Sequence, residues 1–77
     1  MKLSNQDIPA FVKEVRRQLG LSQEELAYAL GVSFATINRW ENGKTSPSKL
    51  AHTHFKMFCD KKAKQGLLTI NGVKHDH

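Results

Sequence analysis

The chain has little cysteine and no long apolar run. Its 77 residues include a single cysteine, Cys59, which excludes an intramolecular disulfide and fits a reducing compartment. An apolar run of about 18 residues, which a membrane-spanning helix needs, does not occur, and no charged segment followed by an apolar one resembles a leader. We therefore expect a cytoplasmic protein with no membrane partner.

Patterns that indicate catalysis or metal binding are also scarce. No Ser-His-Asp set, carboxylate pair or Gly-rich phosphate loop has the spacing that catalysis needs, so we predict neither enzymatic activity nor a cofactor. His52, His54 and Cys59 are potential metal ligands, but on a helix His52 and His54 would point about 200° apart. The His-Asp-His tail at 75–77 has no anchoring element. We predict no metal site.

Positive charge is abundant. Twelve Lys and Arg residues against seven Asp and Glu give a net charge of +5 and an isoelectric point near 9.7. This balance suits a polyanionic partner, although charge alone does not choose among DNA, RNA and an acidic protein. With 39% hydrophobic residues in 77, we expect one small domain with a marginal core, which oligomerisation would help.

A short helix is predicted from about residue 23 to residue 30. Ser22 is a good N-cap, and Glu25 completes a capping box three residues later. Gly31 supplies the left-handed backbone conformation that ends this helix.

A second short helix is predicted over residues 34–41. Ser33 is its N-cap, and Gly43 stops it. Ile37 and Trp40 have i,i+3 spacing and should share the inner face. This leaves five side chains at the N-terminal end and on the outer surface: Phe34, Ala35, Thr36, Asn38 and Arg39.

A further helix is predicted on each side of this pair. Asp7 caps the first, which runs over residues 8–18 with Pro9 in its first turn. Ser48 caps the last, which extends to about residue 63. The expected inward-facing residues are Phe11, Val12, Val15 and Leu19 in the first helix, and Leu50, Ala51, Phe55 and Phe58 in the last.

The C-terminal residues have a different pattern. Gly66 should break the last helix, and the apolar segment 67–70 followed by Asn71-Gly72 predicts a short strand and a turn before a loose tail. This segment is a candidate dimer contact as an edge strand, with packing against its own helices as the alternative.

Residues 9–59 resemble the lambda-repressor-like, or Xre-type, helix-turn-helix family. The matching segments are 19–23, Ala27, the turn at 31–33 and the segment 37–44. The resemblance implies an all-α helix-turn-helix bundle of about four helices over residues 1–64, with a short C-terminal extension at 65–77. In this family a fifth helix often follows, where the present sequence predicts a strand.

The resemblance also implies a function. We expect a sequence-specific DNA-binding transcriptional regulator, a repressor, that reads the major groove with helix 34–41. Members of the family usually bind near-palindromic sites as homodimers. The alternative is an antitoxin-type interaction module that neutralises a toxin partner and uses DNA binding to regulate its own operon.

Arg39 is the leading candidate for reading a base, because its guanidinium can donate two hydrogen bonds to guanine O6 and N7. Phe34 and Ala35 occupy the family's base-facing positions and would pack on thymine methyl groups. The alternative for Phe34 is burial in the core. Thr36 and Asn38 lie close enough to assist, with Asn38 contacting adenine or a phosphate.

The remaining candidates would hold the phosphate backbone. The resemblance places Gln23 as a phosphate-binding glutamine at a helix N-terminus, and places Asn42 and Lys44 near the backbone beyond the second helix. Ser33 would cap its helix or touch a phosphate. The family also pairs an arginine of the first helix with the glutamate that ends the recognition helix, which implies a structural ion pair between Arg16 and Glu41.

Overall fold

Four α-helices form the bundle in the computed structural model, which describes residues 8–69. They are α1 (Ile8–Leu19), α2 (Gln23–Leu30), α3 (Phe34–Glu41) and α4 (Lys49–Lys64). Helix α3 packs against both α1 and α2, and α4 contacts α2. No strand occurs within the described range, so the predicted all-α fold is confirmed.

The helix ends follow the predicted local chemistry. The Ser22 hydroxyl accepts a hydrogen bond from the Glu25 N–H at 3.0 Å, and the Glu25 carboxylate accepts one from the Ser22 N–H at 2.8 Å. Gly31 ends α2 with φ +73°, a conformation that costs most other residues energy. Ser33 caps α3 by accepting a hydrogen bond from the Thr36 N–H at 3.1 Å. The predicted cap Asp7 lies outside the described residues.

The core lies where the four helices meet. Phe55 of α4 is fully buried, with its ring centroid 5.7 Å from Phe11 and 6.1 Å from Trp40. Ile37 and Trp40 are buried as predicted. The buried apolar residues are Ile8, Val12, Val15, Leu26, Ala27, Leu30, Ile37, Trp40, Phe55, Cys59 and Leu68.

The prediction that Leu50 faces the core is wrong. Its side chain is 81% exposed. The inner line of α4 runs through Ala51, Phe55 and Cys59, which are spaced four residues apart, and Leu50 lies about 140° around the helix from Phe55. Cys59, which the sequence analysis did not assign to the core, is fully buried.

The prediction of a strand over residues 67–70 is also wrong for residues 67–69, the part that the structure describes. Gly66 ends α4 with φ +78°, and Leu68 then inserts into the core at 5% exposure. The side-chain amide of Gln18 accepts a hydrogen bond from the Thr69 N–H at 2.7 Å and donates one to the Thr69 carbonyl at 2.8 Å. These bonds replace those of a neighbouring strand. Residue 70 and the predicted turn and tail lie outside the described residues.

Candidate nucleic-acid interface

Helix α3 presents a mixed apolar and cationic outer surface. Phe34 is 49% exposed and does not pack against the core, so the alternative in which it folds inward is not the one observed. Ala35 and Arg39 are exposed, whereas Thr36 and Asn38 are half-buried. Since Ile37 and Trp40 anchor the opposite face, the outer surface is held in a fixed orientation relative to the bundle.

Arg39 has no carboxylate partner in the part of the chain that the structure describes. Within residues 8–69 the salt bridges are Arg16–Glu41, Arg17–Glu14 and Lys56–Asp60, and Arg39 takes part in none of them. An exposed arginine without a carboxylate partner retains all five N–H donors for an external acceptor.

A partly buried ion pair lies behind this surface. The Arg16 guanidinium donates two hydrogen bonds to the Glu41 carboxylate, from Nε to Oε2 at 2.5 Å and from Nη2 to Oε1 at 3.0 Å. It also donates to the carbonyl of Leu21 at 3.0 Å. Glu41 is only 4% exposed. Arg16 and Glu41 therefore fasten the end of α3 to α1 and to the segment that leads into α2.

Opposing effects act on the Glu41 carboxyl. Burial favours the neutral form and so acts to raise its pKa. Hydrogen bonds from Arg16 and Gln23, together with the charges of Arg16 and Lys13, outweigh burial and hold the pKa of Glu41 below its ordinary value. The carboxylate is therefore charged at neutral pH.

Three amide side chains extend from this ion pair, one at the start of α2 and two on α3 and its C-cap. Gln23 Nε2 donates to Glu41 Oε1 at 2.9 Å, Asn38 Nδ2 donates to Gln23 Oε1 at 3.2 Å, and Asn42 Nδ2 donates to Asn38 Oδ1 at 3.1 Å. We call Gln23, Asn38 and Asn42 the amide row. The sequence analysis proposed all three as separate DNA contacts and missed the bonds between them. The spacing of Asn38 and Asn42, four residues apart on one helix face, was the available signal.

The two other candidate phosphate contacts lie at the ends of α3. The Ser33 hydroxyl caps the helix and lies 2.9 Å from the Thr36 hydroxyl. Lys44 is exposed just beyond α3, where its N–H donates to the Arg39 carbonyl at 2.9 Å. These contacts fix the backbone on either side of the outer surface.

The sequence analysis also considered His52, His54 and Cys59 as metal ligands. Within residues 8–69 no cluster of three or more His, Cys, Asp or Glu side chains is placed to hold a metal ion. Burial, reinforced by the charge of Asp60, raises the pKa of the Cys59 thiol to about 12. The second candidate set, at residues 75–77, lies outside the described residues. In the described range no helix combines the length and the apolar character that a membrane span requires.

Comparison with known proteins places the chain in a family. A helix-turn-helix family model matches residues 12–50. An uncharacterized HTH-type transcriptional regulator from Methanothermobacter thermautotrophicus is 52% identical over 42 residues, which cover 53% of this chain and 61% of that protein.

Two further relatives are much longer proteins. The Type II methyltransferase M1.ScrFI of Lactococcus lactis subsp. cremoris is 49% identical over 47 residues, and the Type II methyltransferase M.SsoII of Shigella sonnei is 47% identical over 45. The matches cover 57% and 54% of this chain but only 12% of each methyltransferase. No solved structure matches the chain. The family model covers the capped helix pair and its turn, and the chain belongs to the lambda-repressor-like, Xre-type helix-turn-helix family.

Proposed function

We propose that the chain is a sequence-specific DNA-binding transcriptional regulator, a repressor, that inserts α3 into the major groove. The observation that carries the proposal is the outer surface of α3, where Arg39, without a carboxylate partner among residues 8–69, and the apolar Phe34 are both exposed. A guanidinium suits guanine O6 and N7, and an exposed ring suits a thymine methyl group. The net charge of +5 supports an anionic partner. The relative from Methanothermobacter, named as a transcriptional regulator, is in keeping with this role.

Selection of bound sequences from a random DNA pool tests this proposal. Wild type should enrich a near-palindromic motif, and Arg39→Ala should lose preference at one base position in each half-site, at a cost of about 1–3 kcal/mol. Arg17→Ala is the matched control, because it removes the same charge from an exposed position on α1. If Arg39→Ala weakens binding equally to all sequences, Arg39 contacts phosphate only. The absence of any enriched motif would refute sequence-specific recognition.

Apolar readout by Phe34 and Ala35 has its own test. Replacing single thymines of the selected site by deoxyuridine removes one C5 methyl group and leaves the hydrogen-bonding edge intact. Wild type should bind more weakly to one such substituted site, and Phe34→Ala should bind both versions equally. Equal binding by wild type at every substituted position would show that neither side chain reads a methyl group.

Phosphate contacts are proposed for Gln23, Ser33, Asn42 and Lys44. Only Lys44 carries a charge, so its removal should reduce the salt dependence of binding as well as the affinity. For Lys44→Ala we expect similar weakening on all sequences and a salt slope shallower by about one. An unchanged slope would remove Lys44 from the interface.

We propose that the chain binds its site as a homodimer, since two recognition helices about one DNA turn apart double the number of bases read. The contact proposed from the sequence, an edge strand at 67–70, is not formed within residues 67–69. The mass of the complex on a full site and on a single half-site measures the stoichiometry. One protomer on the full site would refute the dimer.

An antitoxin-type role in a toxin pair is a second candidate, which one observation favours. Leu50 and Met57 are 81% and 62% exposed, and their seven-residue spacing places them on one side of α4. Neither residue belongs to the proposed DNA surface. If the chain is an antitoxin, the Leu50→Asp variant should no longer relieve the growth arrest that the toxin causes. The DNA sequences that this variant selects from a random pool should not change. If the substitution leaves relief intact, this side of α4 is not the partner site.

A further inference from the structure

The amide row has one hydrogen-bonding direction. Each member donates an N–H to the group nearer Glu41, so the donors run from Asn42 through Asn38 and Gln23 to the carboxylate. Glu41 is the end of the row, and its other bonds come from Arg16.

The carboxylate imposes this direction. An ionised carboxylate only accepts hydrogen bonds, whereas a side-chain amide has a donating end and an accepting end. Gln23 must therefore turn its NH₂ group toward Glu41, which leaves its oxygen facing Asn38. Asn38 in turn directs its NH₂ group toward Gln23 and its oxygen toward Asn42. The orientation of Asn38 follows from the charge on Glu41, two hydrogen bonds away.

A fixed orientation matters for base recognition. After its two bonds within the row, Asn38 retains one N–H and one oxygen lone pair. Adenine offers one acceptor and one donor in the major groove, N7 and the N6 amino group, whereas guanine offers the two acceptors N7 and O6. An amide that turns freely would adapt to several bases. An amide held in one orientation matches adenine and leaves guanine O6 opposite an oxygen.

We infer that Glu41 is a positioning residue for sequence preference: acting through Gln23, it holds the Asn38 amide in the orientation that selects adenine. The inference rests on the proposed DNA-binding function and extends it, because it assigns a role in base selection to a residue that is buried and does not face DNA. The family resemblance gave Glu41 only the structural partnership with Arg16.

Glu41→Gln tests the direction of the row without changing its shape. Arg16 Nε makes the shorter bond, to Oε2, whereas Oε1 accepts from both Arg16 Nη2 and Gln23. An amide that keeps its oxygen on Arg16 Nε places its NH₂ group at the Oε1 position, where it faces Gln23, and the row then reverses. We expect adenine preference at the base facing Asn38 to fall by roughly tenfold, the scale of one bidentate base contact, with other positions of the motif unchanged. Glu24→Gln is the matched control, since it makes the same chemical change at an exposed position of α2 and should keep the preference.

Gln23→Met is the second variant, because it cuts the row and leaves the Arg16–Glu41 ion pair in place. It should relax preference at the same base position as Glu41→Gln. If Gln23 serves only as a phosphate contact, its loss weakens binding equally to all sequences, which would overturn the inference. In the double variant Gln23→Met/Asn38→Ala, preference at this position should fall no further than in Asn38→Ala alone.

The outcomes separate this inference from the proposed function. A wild-type protein without any base preference overturns both. A wild type with a clear preference that Glu41→Gln and Gln23→Met both retain overturns only the positioning role of Glu41. The side-chain NH₂ resonances of Asn38 in the DNA-free protein supply an independent readout, because they should shift in both variants and remain unchanged in Glu24→Gln.

Discussion

Replacing Arg16 by methionine should destabilise the bundle far more than the loss of a surface charge does. Methionine retains most of the apolar length of the side chain, so the change removes mainly the guanidinium. Glu41, which is 4% exposed in the wild type, then keeps only Gln23 as a side-chain hydrogen-bond donor. Removing one partner of a buried pair is costly because the other charge stays buried without compensation.

The size of the effect follows from the exposure of the two side chains. Fully buried pairs cost about 3–5 kcal/mol when one partner is removed, and exposed pairs about 0–1 kcal/mol. The Arg16 side chain is 25% exposed and that of Glu41 is 3% exposed. We therefore expect a loss of roughly 2–3 kcal/mol, which for a domain of this size lowers Tm by roughly 8–24 °C.

Arg17→Met is the control, because the two arginines are adjacent on α1. Arg17 forms an ion pair with Glu14 at 2.6 Å in which the side chains are 71% and 43% exposed. Its loss should cost less than about 1 kcal/mol. Thermal and denaturant unfolding of both variants measures the difference, with Trp40 as the fluorescent probe. Equal losses in the two variants would refute the argument from burial.

The pH dependence gives a second check on the ion pair. In wild type the pKa of Glu41 is lowered, so the stability that its charge contributes is present above the unfolded-state pKa of about 4.3 and is lost as pH falls toward the folded-state value. In Arg16→Met the effect of burial is less opposed, so the pKa of Glu41 rises relative to wild type. The two stability curves should converge as pH falls, and a constant gap down to acid pH would contradict this reasoning.

Three further predictions concern the fold. Gly31→Ala should cost about 1–2 kcal/mol, since an added Cβ meets nothing within 4 Å and only the positive φ of +73° is strained; an unchanged Tm would contradict this. Phe55→Ala should cost about 3–5 kcal/mol and Leu50→Gln about 0.5 kcal/mol or less, because only Phe55 is buried; the reverse order in denaturant unfolding would overturn the assigned inner face of α4. The Cys59 thiol, with its pKa raised to about 12, should react with a disulfide reagent only when the protein unfolds, and rapid reaction in native buffer would refute its burial.

The helix ends could be predicted from the sequence because their chemistry is local. A capping box joins residues three positions apart, so Ser22 and Glu25 carry the complete information for the start of α2. Likewise, a glycine that ends a helix acts through its own backbone, as Gly31 does. Such features do not depend on what the rest of the chain does.

The two errors in the fold concern contacts between distant residues. The amide of Gln18 replaces a strand partner for Thr69 across 51 positions of sequence, and no local pattern encodes that choice. Leu50 was assigned to the core because it is apolar, but the phase of α4 is set by the packing of Phe55 against Phe11 and Trp40. When a helix has few apolar residues, their spacing alone does not determine which face of the helix is buried.

In the candidate site, too, some features could be predicted from the sequence and others depend on contacts between helices. The family resemblance pointed to the pairing of Arg16 with Glu41, and hydrophobic spacing placed Ile37 and Trp40 inside, so the outward residues of α3 followed. The bond between Gln23 and Asn38 joins two helices and became visible only when α2 and α3 were placed together. Residues that look like independent contacts in the sequence thus form one connected row.

The two members of the ion pair should therefore have separable effects. In Arg16→Met, Glu41 keeps its hydrogen bond from Gln23. At a pH well above the raised pKa of Glu41 the carboxylate is ionised, so the amide row keeps its direction and Asn38 keeps its orientation. We expect this variant to lose stability but to retain the wild-type base preference when it is assayed well below its Tm. Glu41→Gln should change the preference at the base facing Asn38, in addition to any stability that it loses with the ion pair. If Arg16→Met changes that preference as much as Glu41→Gln does, preference depends on the general integrity of α3 and not on the charge that orients the row.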